Sequence, residues 1–499
     1  MTTTAPCDLS AVDARAAISR RELSPVELLE SCIARIEAVD HAVNAMVARD
    51  FAGARATAKA MEQQLLRGEA LPPLFGLPLA VKDLIDAKGL PTTYGSRLFA
   101  DNIAKDDEAI VAMLRNAGAI VIGKTNTPEW GAGGNTRNAL HGATGNPFRP
   151  SHSAAGSSGG SAAALACGMA PLATGSDTGG SLRNPAAFCG VVGFRPSPGL
   201  IASNSRNMAW LQLSQLGPMA RSTADVALML SAMLERHRDD PLSVILHAGG
   251  FPKTAAFADP PLVDLGRLRV AATPDFGFAP TSREIRRSFE WKWALFRGAF
   301  ASHQAASPDC RDADRIFEVL RAVLFLGRHR TLAEQHPEKV GPNIHRQIAE
   351  GLAYSAADVA DALSRQTAMF RHWQTFFEDF DILITPAVTL SPRPWSELYP
   401  AEIDGEATRT YFHWLALAYA VTNVGHPAIS IPAGRDEAGM PFGLQIVGPR
   451  GGDALVLSVA RALEAVFAKE PELSPPGVDV RRLEEAPPIS NMPGFLDAD

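Results

Sequence analysis

Residues Ser153 to Pro196 read SAAGSSGGSAAALACGMAPLATGSDTGGSLRNPAAFCGVVGFRP. Two loops of small residues, Gly156-Ser157-Ser158-Gly159-Gly160-Ser161 and Gly175-Ser176-Asp177-Thr178-Gly179-Gly180-Ser181, flank a short Ala-rich segment. Nothing else in the chain concentrates Gly and Ser this way. Ser161 to Cys167 predicts a short helix with Gly168 at its C′ position. Pro171 to Thr174 predicts a strand entering the second loop. Ser181 then opens another short helix, because Pro185 is tolerated only in a first turn. Glycine permits close backbone approach to a ligand. Serine supplies a hydroxyl that can attack or relay a proton. Both loops are therefore expected to end at one active site.

Working outward, residues 76–86 read as a short strand, 107–117 as a helix stopped at Gly118, and 119–122 as a buried strand. This rhythm predicts an α/β sheet with covered faces. Upstream, residues 9–48 predict two helices. Ser24-Pro25-Val26-Glu27 is a capping box, and Val26, Leu29, Cys32, Ile33, Ile36 and Val39 form a core stripe at helical spacing. Residues 51–68 continue as a polar helix, and 124–152 have loop composition. Downstream, residues 217–236 predict an amphipathic helix, 239–266 a Pro-containing linker or excursion, and 283–380 a mostly helical region. Strand signals return at 382–384, 428–431 and 444–447, followed by a helix over 454–467. The Pro-rich, acidic tail from 470 reads as an extended strap or a partly disordered segment. The late strands most simply rejoin the sheet begun by the early ones. One domain over 1–499 is expected: a core at about 60–235, a helical excursion at about 240–380, returning strands at about 381–470 and a tail at 471–499.

Composition narrows the function. The chain has 499 residues, 46% hydrophobic and 20% charged, with a formal charge of −7. That is a folded protein without the electrostatic footprint for nucleic acid or an anionic membrane. The cysteines, Cys7, Cys32, Cys167, Cys189 and Cys310, are odd in number and scattered, which argues against a disulfide framework or a zinc site. A reducing compartment, the cytoplasm, is the expected location. The start, MTTTAPCDLS, lacks the n- and h-regions of a signal peptide, and no apolar run approaches a membrane span.

Three side chains stand out: Lys82, Ser157 and Ser181. A serine hydroxyl needs a base to become a nucleophile. Of the twelve histidines, His141 and His152 lie nearest, and both read as structural or solvated loop residues. A lysine serves instead if burial keeps it neutral. Lys82 follows Leu79-Ala80-Val81 in an apolar segment; its bland reading is an ion pair with Asp83 or a snorkelling edge position. Ser181 sits where a strand gives way to a helix, so the N–H groups of Thr178, Gly179, Gly180 and Ser181 can converge on one point as an oxyanion hole. The bland reading there is an anion-binding or tight-turn loop. Gly156-x-Ser158-x-Gly160 formally matches a nucleophile elbow, but that motif needs a strand immediately before it, and Arg149 to Ser153 read as loop.

These two loops, with Leu182-Arg183-Asn184-Pro185 completing the second, resemble the signature of the amidase signature family of serine hydrolases. Gly76-Leu77-Pro78-Leu79-Ala80-Val81-Lys82-Asp83 matches the segment that carries that family's lysine, and Gly217 to Arg221 is similar to a further block. The resemblance implies a mixed, twisted central sheet covered by helices on both faces. It implies a triad of Ser181 as nucleophile, Ser157 in a cis peptide as bridge and Lys82 as base. The oxyanion donors map to Thr178, Gly179, Gly180 and Ser181, and a backbone substrate contact to Gly131. It implies hydrolysis of a small-molecule amide, with related esters or carbamates, and no cofactor or metal. A homodimer is left open. The other function within the family is a glutaminase component of a tRNA-dependent amidotransferase. Ala155 stands where many members have Gly, so a slightly altered loop geometry is expected. The pockets are expected from 127–146, 199–216 and 283–420, with Trp130, Trp210, Phe325 and Trp414 as aromatic candidates, each read as core ahead of ligand contact. Cys189 is expected to be buried and structural.

Overall fold

A computed structural model of the chain describes residues 5–246 and 255–496. The first four residues of the N-terminus, the middle of the expected linker at 247–254 and the last three residues of the tail lie outside the described residues. Eleven strands form one sheet: β1 (Met46–Arg49), β2 (Pro78–Lys82), β3 (Ile120–Thr125), β4 (Leu172–Asp177), β5 (Val192–Arg195), β6 (Gln215–Ala220), β7 (Arg269–Ala272), β8 (Ser302–Ala305), β9 (Ile382–Pro386), β10 (Ala428–Arg435) and β11 (Pro441–Val447). Their spatial order is β1-β3-β2-β4-β6-β5-β10-β11-β9-β7-β8. β2 runs parallel to β3 and β4, whereas the central strands from β4 to β9 pair antiparallel, so the sheet is mixed.

Both faces are covered, which explains the near-continuous apolar strands. Along β2, Leu79 and Val81 pack with the helices Ala11–Ser19 and Thr223–Ser231, while Ala80 points to the helix Gly159–Ala166. Lys82 follows Ala80 at the two-residue period of a strand, so it enters the same face. That helix is made of small residues because it lies almost on the backbone beneath it. A Cβ on Gly160 would sit 2.3 Å from the N and 2.7 Å from the O of Asn126. Gly160→Ala is expected to cost about 2 kcal/mol by overpacking. Gly298→Ala, with nothing within 4 Å of its Cβ, should leave the denaturation midpoint unmoved.

Several expectations change. Residues 217–236 are not one helix: Gln215–Ala220 is β6, paired with β4, and the helix spans Thr223–Ser231 behind an N-cap at Ser222. The apolar spacing of Met219 and Ala220 happens to continue the helical pattern, and pairing with a distant strand overrides it. The excursion at 240–380 is mostly helical but also supplies β7 and β8 to one end of the sheet. Arg149–Ser153 is not a loop; it pairs with Gly145–Asn146 in a two-stranded ribbon separate from the main sheet. The tail is not a bare strap, since Leu473, Leu483 and Ile489 are buried and Val480–Glu484 is helical. No helix among the described residues is long and apolar enough to cross a membrane.

Candidate active site

The parallel strands β2 and β4 end on the same edge of the sheet, and both loops of the opening stretch gather there. Leu79 and Ala80 register with Leu172 and Ala173, and the Lys82 N–H donates to Thr174 Oγ1 at 2.9 Å. The Lys82 side chain is fully buried. Its Nζ lies 2.7 Å from Ser157 Oγ, 2.8 Å from Ser158 Oγ and 3.0 Å from Ser176 Oγ. Asp83 does not pair with it; that carboxylate faces Lys124 at 3.5 Å and receives the Thr93 N–H. Burial holds the Lys82 amine well below its usual range; the Asp177 carboxylate opposes this and the Arg328 charge adds to it. A neutral amine among three hydroxyls has a lone pair with which to take a proton.

The first loop turns sharply to reach the lysine. The Gly156–Ser157 peptide is cis, and Ala155 before it is left-handed with φ 57°. Position 155 thus has the backbone conformation that glycine adopts without a Cβ penalty.

The second loop is gripped from beneath. Asp177 ends β4 with its carboxylate buried. It accepts the Gly180 N–H at 2.9 Å and the Leu182 N–H at 3.2 Å. Arg183 Nε and Nη2 bind it at 3.0 and 2.9 Å, and Arg195 Nη1 at 3.1 Å. Burial alone would raise this carboxyl, but the two guanidiniums outweigh it and hold it below the usual carboxylate range. The clamp shapes the turn that presents Ser181. Within it Gly180 has φ 111°, and a Cβ there would meet Ala418 Cβ at 2.5 Å. Asp177→Ala would strand two buried guanidiniums; we expect a loss of about 3–5 kcal/mol in urea denaturation.

Ser176, Thr178 and Ser181 are half-buried, and all three line one cleft together with Ser157, Gly131 and Gly179. Ser158 N–H donates to the Ser181 carbonyl at 3.3 Å, tying the two loops together. Ser181 Oγ has no hydrogen-bond partner among the described residues, so the bridge from Ser157 to Ser181 is not closed by a direct bond. Of the four expected oxyanion donors, Gly180 N–H is committed to Asp177. Those of Thr178, Gly179 and Ser181 have no acceptor among the described residues.

The cleft draws on each expected segment. Trp130, Ser203 and Gln215 come from the first two, and Phe317, Phe325 and Phe412 from the third. Of the aromatic candidates, Trp130 and Phe325 line it. Trp210 does not and is 74% exposed. Trp414 is buried against Gly134 instead. His141 and His152 are also outside the cleft; His141 meets Thr93 Oγ1 and His152 meets Ser151 Oγ. Cys189 is fully buried, and burial pushes its thiol well up. Sequence reasoning missed Ser158 and Ser176 as lysine partners, although both stand in the Gly-Ser loops. It also missed Glu108 on the cleft wall and the grip of Arg183 and Arg195, for which a lone carboxylate in an uncharged run was the available signal.

The family model "Amidase" matches residues 27–457. An acylamidase of Rhodococcus erythropolis is 35% identical, covering 92% of this chain and 95% of that protein. A component of the glutamyl-tRNA(Gln) amidotransferase of Acidothermus cellulolyticus is 32% identical over 92% of this chain and 94% of its own. The crystal structure of a bacterial aryl acylamidase of the amidase signature family superposes with a TM-score of 0.84 at 27% identity, covering 93% of this chain and 98% of that one. With the fold, the cleft and these matches together, the chain belongs to the amidase family.

Proposed function

We propose that the chain hydrolyses amides through an acyl-enzyme, with Ser181 as nucleophile, Ser157 as relay and Lys82 as base. The observation that carries this is the buried Lys82 amine, held by burial well below its usual pKa and 2.7 Å from Ser157 Oγ, beside a cleft that Ser157 and Ser181 both line. Lys82 takes the Ser157 proton as Ser157 takes that of Ser181. Ser181 Oγ then bonds to the substrate carbonyl carbon. The negative oxygen is met by the N–H groups of Thr178, Gly179 and Ser181, donors fixed before charge develops. Gly180 supports the turn through Asp177, and Gly131 is the backbone contact for substrate. The C–N bond breaks as the relay returns the proton from Lys82 to the leaving nitrogen. Water, deprotonated by the same relay, attacks the ester carbon and releases the acid and Ser181.

The cleft wall of Phe317, Phe325 and Phe412 suits an aryl or bulky apolar group, which favours an acylamidase over a glutaminase component of a larger complex. The test is the purified chain, without partners, on aryl, fatty and short aliphatic amides beside glutamine. Amine release from an aryl amide at a kcat/KM well above that for glutamine is expected. Ammonia from glutamine as the sole product would overturn this reading.

A further inference from the structure

We propose that the cleft selects amides that carry a carboxylate, and that Arg328 is the residue that receives it. The inference rests on the hydrolase reading above. The helix Ala313–Gln335 flanks the cleft and brings Arg321, Arg328 and His329 to it. Two of the three cleft arginines are already engaged. Arg321 donates to Gln347 Oε1, and its guanidinium lies over the rings of Phe325, Tyr411 and Phe412 at 4.6, 4.9 and 5.2 Å. Arg206 pairs with Asp240 at 2.5 Å and donates to the Ser214 carbonyl at 2.9 Å.

Arg328 differs. It is exposed, and it lines both the cleft that holds Ser157 and Ser181 and an adjoining hollow beside Tyr94. Among the described residues it makes no hydrogen bond or ion pair. Neither nearby carboxylate forms an ion pair with it, although the Glu108 charge attracts it from a longer range. Glu108 receives the hydroxyls of Ser203 at 3.2 Å and Ser205 at 2.8 Å, and Asp86 receives the Tyr94 hydroxyl at 2.9 Å. His329 does not compete for an anion: it stacks on Trp130 with centroids 4.4 Å apart, and burial keeps it neutral. Among the described residues the cleft therefore holds one guanidinium with no hydrogen-bond or ion-pair partner at contact distance, close enough to the reaction centre for its charge to act on Lys82. A guanidinium presents a planar fork of donors that matches a carboxylate, and such charge-assisted pairs are stronger than neutral hydrogen bonds.

The experiment compares wild type, Arg328→Gln and Arg328→Lys on two matched pairs. One is para-acetamidobenzoate with para-nitroacetanilide, which puts the charge on the amine side. The other is succinanilate with butyranilide, which puts it on the acyl side. Comparing enzymes within each substrate cancels intrinsic reactivity. Arg328→Gln is expected to lower kcat/KM for the acid of at least one pair by roughly 10- to 100-fold more than for its neutral partner. Arg328→Lys should recover part of that loss. Equal losses on acid and neutral substrates, or no loss on any, would overturn the proposal while leaving the hydrolase reading intact. A wild-type chain that releases no amine from all four would overturn the hydrolase reading, and this one with it.

Discussion

Ser181→Ala is expected to fold like the parent and to lose amide turnover by about 10⁴-fold or more in kcat, the scale seen when a covalent nucleophile is removed from a working triad. Folding should survive because Ser181 is half-buried and its Oγ has no partner among the described residues, so truncation leaves no buried polar group orphaned. The proposed oxyanion donors belong to the backbone and are untouched by the change. Residual turnover above water is therefore expected, and Ser157→Ala combined with Ser181→Ala should cost little more than Ser181→Ala alone. Melting temperature and steady-state kinetics on one aryl amide test both halves.

Lys82→Ala carries the second large effect. In the proposed mechanism the lysine has two tasks, taking a proton during attack and returning it to the leaving nitrogen. An aryl ester with a good leaving group needs only the first. We expect a fall of about 10³-fold or more for an amide and a visibly smaller one for the matched ester, since each proton transfer is worth about 10²–10⁴-fold. Equal losses on the two substrates would contradict the second task. Lys82→Arg should fail as fully as alanine, because a guanidinium does not deprotonate in a protein. The pH profile follows from the same burial. The proposed mechanism needs the neutral amine, so kcat/KM should rise with pH through the Lys82 pKa, and that limb should lie well below the 10.5 of an ordinary lysine. Stability has a matching sign. A lysine whose folded pKa is depressed binds fewer protons in the folded state, so the chain loses stability as pH falls from about 10.4 towards the folded pKa. Lys82→Met lacks that loss, and its melting temperature should gain on wild type as pH falls through this window.

The candidate site was legible in the sequence to the extent that its residues lie in local pattern. A charged residue closing the apolar run Leu79-Ala80-Val81 marks Lys82, and two Gly-Ser loops around an Ala-rich helix mark Ser157 and Ser181. Their meeting point depends on strand order. Lys82 on β2 and Thr174 on β4 are hydrogen-bonded although 92 positions separate them in the chain, and only the sheet brings the two strand ends together. The same dependence explains what was misread. Gln215–Ala220 became a strand because β4 and β5 flank it. β1, β7 and β8 are four residues each, too short for alternation to declare itself, and each sits at or near an end of the sheet. The clamp on Asp177 joins residues six and eighteen positions away in the chain with partners as distant as Gln445, which holds Arg183 at 2.6 Å. Trp210 and Trp414 read alike as aromatic residues in pocket-forming segments, and only burial separates them.

In the proposed mechanism Ser181 becomes acylated with Lys82 as its base. That acylation is tested most directly by quenching the enzyme with acid during turnover of a slowly deacylated aryl ester, then mapping the adduct by peptide mass spectrometry. The acyl mass is expected on the Ser181 hydroxyl, to be absent from Ser181→Ala, and to accumulate far more slowly in Lys82→Ala. An adduct on Ser157, Ser158 or Ser176, or continued hydrolysis by Ser181→Ala at the wild-type rate, would contradict it.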